Sequence, residues 1–208
     1  MSNTNIWVEG EADKKFINDY CKLINSPIHT NIRIEITGGW TQISSEKTEG
    51  ERIRNAIKIN RANQEKNIII FDADENPEKR RNEIEEWKTK YNLDFDLFLF
   101  PDNKSKGELE DLLEQIITEK NSDIFECWRE YEKCLKTKSN SRLKPLTIPA
   151  KKSKIYCYIE TLVGTSNSEK EKIKDRNRDF LNTEHWQLDS VKLFPLKNFL
   201  LKSFKIEC

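Results

Sequence analysis

Four short apolar runs, each followed by residues that recur at helical spacing, lay out the first 120 positions of the chain. Ile6-Trp7-Val8 runs into Glu9-Gly10, after which Phe16, Ile17, Tyr20, Leu23 and Ile24 fall three and four apart over 13–24, the pattern of a helix packed on a sheet. Ser26-Pro27 ends that helix. Ile32, Ile34 and Ile36 alternate with Arg33 and Glu35, which predicts a half-exposed strand at or near a sheet edge. A charged helix over 45–64 places Ile53, Ala56, Ile57 and Ile59 inward. Asn67-Ile-Ile-Ile-Phe71 does not alternate, as expected of a strand buried on both faces.

Pro77 is suited to the first turn of the next helix, whose apolar stripe is Ile84, Trp87 and Tyr91, with Lys79, Arg80 and Arg81 near its start. The run 95–100 is a fourth strand, and Leu109, Leu112, Leu113, Ile116 and Ile117 mark the helix after it. Four such units in succession argue for a parallel sheet covered by helices. Beyond residue 123 a helix over 124–136 carries Phe125, Trp128, Tyr131 and Leu135, and 138–149 reads as a polar loop. The stretch 154–160 fits a strand or a helix, 165–177 reads as charged and mobile, and 191–200 is an apolar segment that docks on the main core. The expected division is an α/β domain over 1–123 with a helical and mixed extension over 124–208 packed on it.

The chemistry sits at strand ends. Glu9 and Gly10 close the first strand, Asp13 falls in the first turn of the helix that follows, and Asp72-Ala-Asp74 closes the third run. Residues two apart on an extended backbone leave the same face, so Asp72 and Asp74 would join Glu9, with Asp13 at the rim. Carboxylates so gathered repel one another unless a cation lies among them. Oxygen ligands without His or Cys suit Mg2+, with Mn2+ as the substitute. Glu108, Glu110 and Asp111 follow Gly107 after the fourth strand, and any of them could complete or flank the cluster. The plainer alternative makes all these acids favourable charges at helix amino ends.

Composition narrows the setting. The 208 residues are 35% charged and 36% hydrophobic, polar for a globular chain yet carrying enough Ile, Leu and Phe for one substantial core. No apolar run is long enough to span a membrane and no signal-peptide layout opens the sequence, so a cytoplasmic protein is expected. Five widely spaced cysteines, at 21, 127, 134, 157 and 208, suggest buried free thiols rather than a disulfide or zinc framework. His29 and His185 are the only histidines, which argues against histidine-based catalysis. Residues 1–127 hold 18 Lys and Arg against 26 Asp and Glu, a net of −8, whereas 128–208 hold 18 against 10, a net of +8. A polyanion is therefore expected to lie against the second part, with Lys151, Lys152, Lys154, Arg176 and Arg178 as candidates for backbone contacts. Gly38-Gly39 lacks the Walker ending and reads as loop geometry, and Trp40 either stacks on a base or covers the sheet end.

Glu9-Gly10 after one apolar strand and Asp72-Ala-Asp74 after a later one resemble the TOPRIM domain of topoisomerases, primases and related nucleases. The stretch V8-E-G-E-A-D13-K-K-F16 resembles the variant found in OLD-family nucleases and in small stand-alone TOPRIM-like proteins, and the likeness covers about residues 3–120. Segments 100–113 and 186–200 resemble the remainder of those small proteins. The resemblance implies an open, mainly parallel four-stranded sheet flanked by helices and a divalent-metal site. It makes Glu9 a metal ligand or proton-transfer group, Asp72 and Asp74 paired metal aspartates, and Asp13 the additional acid of the OLD-like version. It also implies a magnesium-dependent nuclease or phosphodiester hydrolase acting on DNA or RNA, with Glu9, Asp72 and Asp74 catalytic. Two alternatives are a noncatalytic nucleic-acid-binding or protein-interaction module working with an unseen protein partner, and nucleotidyl transfer such as primer synthesis. No ATPase of the OLD kind and no tyrosine-bearing topoisomerase domain is visible.

Overall fold

The computed structural model describes residues 3–24, 31–140, 143–164 and 166–204. The expected stop at Ser26-Pro27, His29 and Cys208 lie outside the described residues. Four strands, β1 (Asn3–Val8), β2 (Asn31–Ile36), β3 (Lys66–Asp72) and β4 (Asp96–Phe100), form one sheet in the order β2-β1-β3-β4. Every neighbouring pair is parallel, Val8 lying opposite both Ile36 and Ile70, and Asp72 opposite Phe100. The architecture is the open parallel α/β sheet with flanking helices that the pattern predicts, and its topology is consistent with a TOPRIM-like one.

Burial follows from strand position. The inner strands β1 and β3 are apolar on both faces because helices cover both, while β2 at the edge alternates between exposed and half-buried residues. Since side chains leave a strand on alternate sides, the core divides into two layers. Ile6, Val8, Ile68, Ile70, Phe98 and Phe100 face one layer, completed by Phe16, Ile17 and Tyr20 of α1 (Glu11–Ile24) and Leu112 and Leu113 of α5 (Leu109–Gln115). Trp7, Ile69, Phe71, Leu97 and Leu99 face the other. That layer is closed by Ile43 of α2 (Trp40–Ile43), Ile53 and Ile57 of α3 (Thr48–Ala62), and Ile84 and Trp87 of α4 (Pro77–Lys90). Pro77 does open α4, where its missing N–H costs nothing.

The second part of the chain lies on the α1 side. It comprises α6 (Ser122–Ser139), α7 (Lys151–Val163), α8 (Asn167–Ile173) and α9 (Phe194–Phe204) with short 3-10 turns between them. Phe125, Ile155, Tyr158, Phe180, Trp186, Leu196 and Leu200 share the core of the first layer, and Phe180 meets Phe16 edge-on with ring centroids 5.2 Å apart. Tyr158 Oη donates to the carbonyl of His185 at 2.6 Å and so ties α7 to the return segment.

Several expectations are corrected. The extension is helical, and 154–160, which fits a strand or a helix by pattern, belongs to α7, because Ile155, Tyr158 and Ile159 all turn inward at helical spacing. The charged stretch contains α8, whose amino end carries a capping box between Ser166 and Glu169 and which buries Ile173. Leu23 and Ile59, assigned to buried stripes, face solvent at 50% and 59% exposure, so each helix buries a narrower face than its apolar content suggests. Of the described cysteines only Cys21 is buried, while Cys127, Cys134 and Cys157 are exposed on the extension. Among the described residues no helix is long and apolar enough to cross a membrane.

Candidate metal centre

The sheet reverses its order between β1 and β3. From β1 the chain crosses to β2 on one side, and from β3 to β4 on the other, so no helix connection covers the carboxyl ends of the middle pair. In open parallel sheets this switch point is where ligands bind. Glu9 follows the last residue of β1 and Asp72 is the last residue of β3. A cavity of about 340 Å³ opens there, lined by Glu9, Asp13, Asp72, Glu108, Glu110 and Lys152, with Gly10, Gly38 and Gly39 forming part of its wall.

Each acid is held from the backbone. Glu9 Oε1 accepts from the Asp72 N–H at 3.1 Å, which links the two strand ends directly. Gly39 sits at φ +87°, and a Cβ there would stand 2.8 Å from Glu9 Oε2, so the loop after β2 can approach the carboxylate only with glycine in this place. Asp13 Oδ2 accepts from the Gly10 N–H at 2.8 Å, and Asp72 Oδ1 accepts from the Leu109 N–H at 2.9 Å at the start of α5.

Burial sets their acidity. Desolvation pushes Asp13 up to about 7, opposed by its bond to Gly10 and reinforced by the charge of Glu9. Asp72 is driven up to about 9, first by desolvation and then by the charges of Asp13 and Glu9. Glu9 and Glu110 are also raised, again chiefly by burial. Four carboxyl groups in one partly enclosed space thus resist simultaneous ionisation.

Asp74 lies elsewhere. The chain leaves the extended conformation at this residue, whose φ is +52°, and its backbone exchanges hydrogen bonds with Gly107 at 3.0 and 2.8 Å. The two-residue alternation that would align Asp74 with Asp72 therefore stops at Ala73. The Asp74 carboxylate is half exposed and forms an ion pair with Arg80 of α4. It remains near enough to Glu9 to raise that group's pKa.

The later acids separate as well. Glu108 and Glu110 line the crevice. Asp111 Oδ2 accepts from the Glu108 N–H at 2.8 Å and pairs with Lys151 at 2.8 Å, acting at the amino end of α5. Among the expected phosphate-contacting cations, Lys152 reaches the crevice wall while pairing with Asp175 at 2.6 Å. Lys154 is bound to Glu114 at 2.7 Å, and Arg178 is buried at 2% exposure between Asp175 and the rings of Tyr156 and Phe180. Neither is placed for a surface contact. Arg176 is exposed.

The donors fit a hard divalent cation in kind: they are carboxylate oxygens, and burial makes their unrelieved charge unfavourable. As placed, no group of three Asp, Glu, His or Cys side chains among the described residues converges on one point to coordinate it. Each of Glu9, Asp13 and Asp72 uses one carboxylate oxygen for its amide bond and keeps the other, so coordination would require those second oxygens to be brought to a common point. Sequence reasoning missed the engagement of Asp74 by Arg80. A signal existed, since Lys79, Arg80 and Arg81 crowd the first turns of α4, where the helix dipole disfavours cations unless an acid answers them.

A family model described as "Protein of unknown function (DUF3226)" matches residues 3–205. Neither the curated proteins nor the solved structures contain a match to the chain.

Proposed function

We propose that this chain, which belongs to the DUF3226 family, is a divalent-metal-dependent nuclease or related phosphodiester hydrolase acting on DNA or RNA, with a TOPRIM-like site. The observation that carries the reading is the crevice at the β1/β3 switch point, where buried Asp13 and half-buried Glu9 and Asp72 lie together with raised pKa values. Structural acids of this kind are costly to keep, and perturbed carboxyls in a cleft mark candidate functional groups.

Asp72 and Asp13 would hold Mg2+ or Mn2+, with Glu9 as a shared ligand and Glu108 and Glu110 at the rim. When bound, the ion supplies Lewis acidity toward the phosphodiester and makes water a stronger acid. Glu9, whose pKa burial raises above the ordinary carboxylate value, is the residue proposed to take up a proton. Lys152 is the cation best placed to hold a phosphate oxygen against the acidic wall, exchanging Asp175 for the substrate. Asp74 would contribute by turning from Arg80 toward the crevice.

The test is cleavage of labelled single- and double-stranded DNA and RNA with Mg2+ or Mn2+ by the native protein and by Asp72→Asn, which keeps an acceptor for the Leu109 N–H. Cleavage by the native protein and its loss in the variant are expected; equal cleavage by both removes the assignment. The noncatalytic binding module is favoured by one observation, the engagement of Asp74 by Arg80 without a convergent ligand set. Salt-sensitive oligonucleotide binding with no product under any metal would select it.

A further inference from the structure

Beside the crevice lies a second cavity, of about 360 Å³, within the range of small-ligand pockets, roughly 300 to 1,000 Å³. Trp40, Lys79 and Arg80 line it together with the acids Asp74, Glu75 and Glu83. Two chain segments join the cavities: Gly39 borders the crevice and Trp40 the pocket, while Asp72 borders the crevice and Asp74 the pocket. A strand whose phosphodiester lay at Glu9 and Asp72 would therefore carry its neighbouring nucleotide past Trp40.

The lining has the chemistry for that nucleotide. Trp40 is half-buried and is held edge-on by Trp87, with ring centroids 6.0 Å apart, while the Arg80 guanidinium carbon lies 5.8 Å from the Trp40 ring. Arg80 divides its terminal nitrogens between Asp74 and Glu83, and its buried Nε–H has no acceptor among the described residues. Lys79 is exposed and only loosely paired with Glu83, at 3.9 Å, an interaction of little strength in water. An aromatic ring beside an arginine and an exposed lysine is the combination that takes a base and its phosphate without reading sequence, the phosphate replacing Asp74 and Glu83 as partner of the two cations.

We infer that the Trp40–Arg80 pocket is a nucleotide subsite: it stacks one unpaired base on Trp40, holds the adjoining phosphate with Arg80 and Lys79, and directs single-stranded nucleic acid into the crevice. The inference rests on the nuclease reading for its orientation and deepens it by naming the substrate class. A base must leave its duplex partner to stack on Trp40, so single strands, frayed ends and unpaired loops are preferred to continuous duplex.

The experiment is fluorescence anisotropy with a 5′-labelled oligothymidylate of ten residues in a metal-free, low-salt buffer, repeated with an abasic spacer moved through each position. Removing the stacked base should weaken binding to the native protein roughly 5- to 150-fold at one position relative to the others. Trp40→Ala should bind the intact oligomer as weakly as the native protein binds the spacer, and should be indifferent to the spacer. Trp40→Phe should restore most of the affinity and the spacer dependence. Indifference of the native protein to the spacer at every position overturns the subsite, as does Trp40→Ala with native affinity and native spacer dependence. Cleavage by a native protein indifferent to the spacer would leave the nuclease reading standing without the subsite. Spacer-dependent binding with no cleavage in Mg2+ or Mn2+ would leave the subsite standing without the nuclease.

Discussion

Asp72 and Asp74 are separated by one alanine and have opposite fates. Asp72 closes β3, lies in a crevice with Glu9 and Asp13, accepts from the Leu109 N–H with no ion-pair partner among the described residues, and is pushed up to about 9. Asp74 stands one step beyond the sheet in a left-handed conformation, half exposed and ion-paired with Arg80. The difference comes from where regular structure ends. The sheet holds Asp72 inward through its register with Phe100, whereas the pairing of Asp74 with Gly107 swings the second acid toward α4. Burial with no direct ion pair to Glu9, Asp13 or Asp72 among the described residues is therefore the mark of the proposed metal centre, whose lining cation, Lys152, is paired with Asp175; ion pairing is the mark of the neighbouring pocket.

The comparison breaks most visibly in catalysis. Asp72→Asn should lower metal-dependent cleavage by about 10³-fold, in line with the several kcal/mol attributed to a catalytic ion. Asp74→Asn should lower it less, about tenfold, in the same single-turnover assay. Equal losses would show that Asp74 leaves Arg80 and serves the crevice as fully as Asp72 does.

Stability without metal should separate the two aspartates in the opposite sense. A carboxyl whose folded pKa is raised binds more protons folded than unfolded, so its stabilising contribution is complete below about pH 4 and is lost as pH rises through the folded value. Asp13 acts in this way up to about 7 and Asp72 up to about 9. In EDTA, urea midpoints should therefore fall as pH rises from 5 to 9. At pH 8, Asp72→Asn should be more stable than the native protein by on the order of 2 kcal/mol, because it removes a buried acid that resists ionisation. Asp74→Asn should stay within about 1 kcal/mol of native, as expected for a partly exposed ion pair. A native midpoint that rises over this range would mean that the crevice acids are stabilised as anions.

Gly39→Ala probes the wall between the two regions. Gly39 combines a positive φ with an extended ψ of 176°, a region essentially restricted to glycine, so alanine is disfavoured by roughly 1–3 kcal/mol, and the new Cβ would press on Glu9 Oε2. Cleavage by the folded variant should fall about tenfold while the midpoint drops in line with that strain, and unchanged cleavage would remove the need for a close approach to Glu9.

Much of this arrangement was legible in the residues. The runs at Ile6-Trp7-Val8 and 67–71 are buried on both faces, and such runs announce inner strands. The alternation at 32–36 announces the edge. Glu9 and Asp72 were legible as site candidates because an acid directly after an inner strand has one place to go. Asp74 was assigned by extending the alternation one residue too far, and nothing local in Asp72-Ala-Asp74 reveals the partnership with Gly107, some thirty residues on. Arg178 was counted as a surface cation because its burial depends on Tyr156 and Phe180 closing around it, a tertiary event outside the reach of charge counting. The helical character of 154–160 was ambiguous for a similar reason: alternation and helical spacing coincide in so short a run.

The most direct test of the metal centre is calorimetric titration of Mn2+ into the metal-free protein at pH 7, in two buffers of different ionisation enthalpy, for the native chain and for Asp72→Asn. Ion binding should displace the protons that burial retains on Asp72 and Asp13, so the native protein should bind Mn2+ and release about one proton or more per ion. Asp72→Asn should lose most of the binding. Absence of Mn2+ binding by the native protein, or binding that Asp72→Asn leaves unchanged, would contradict the account.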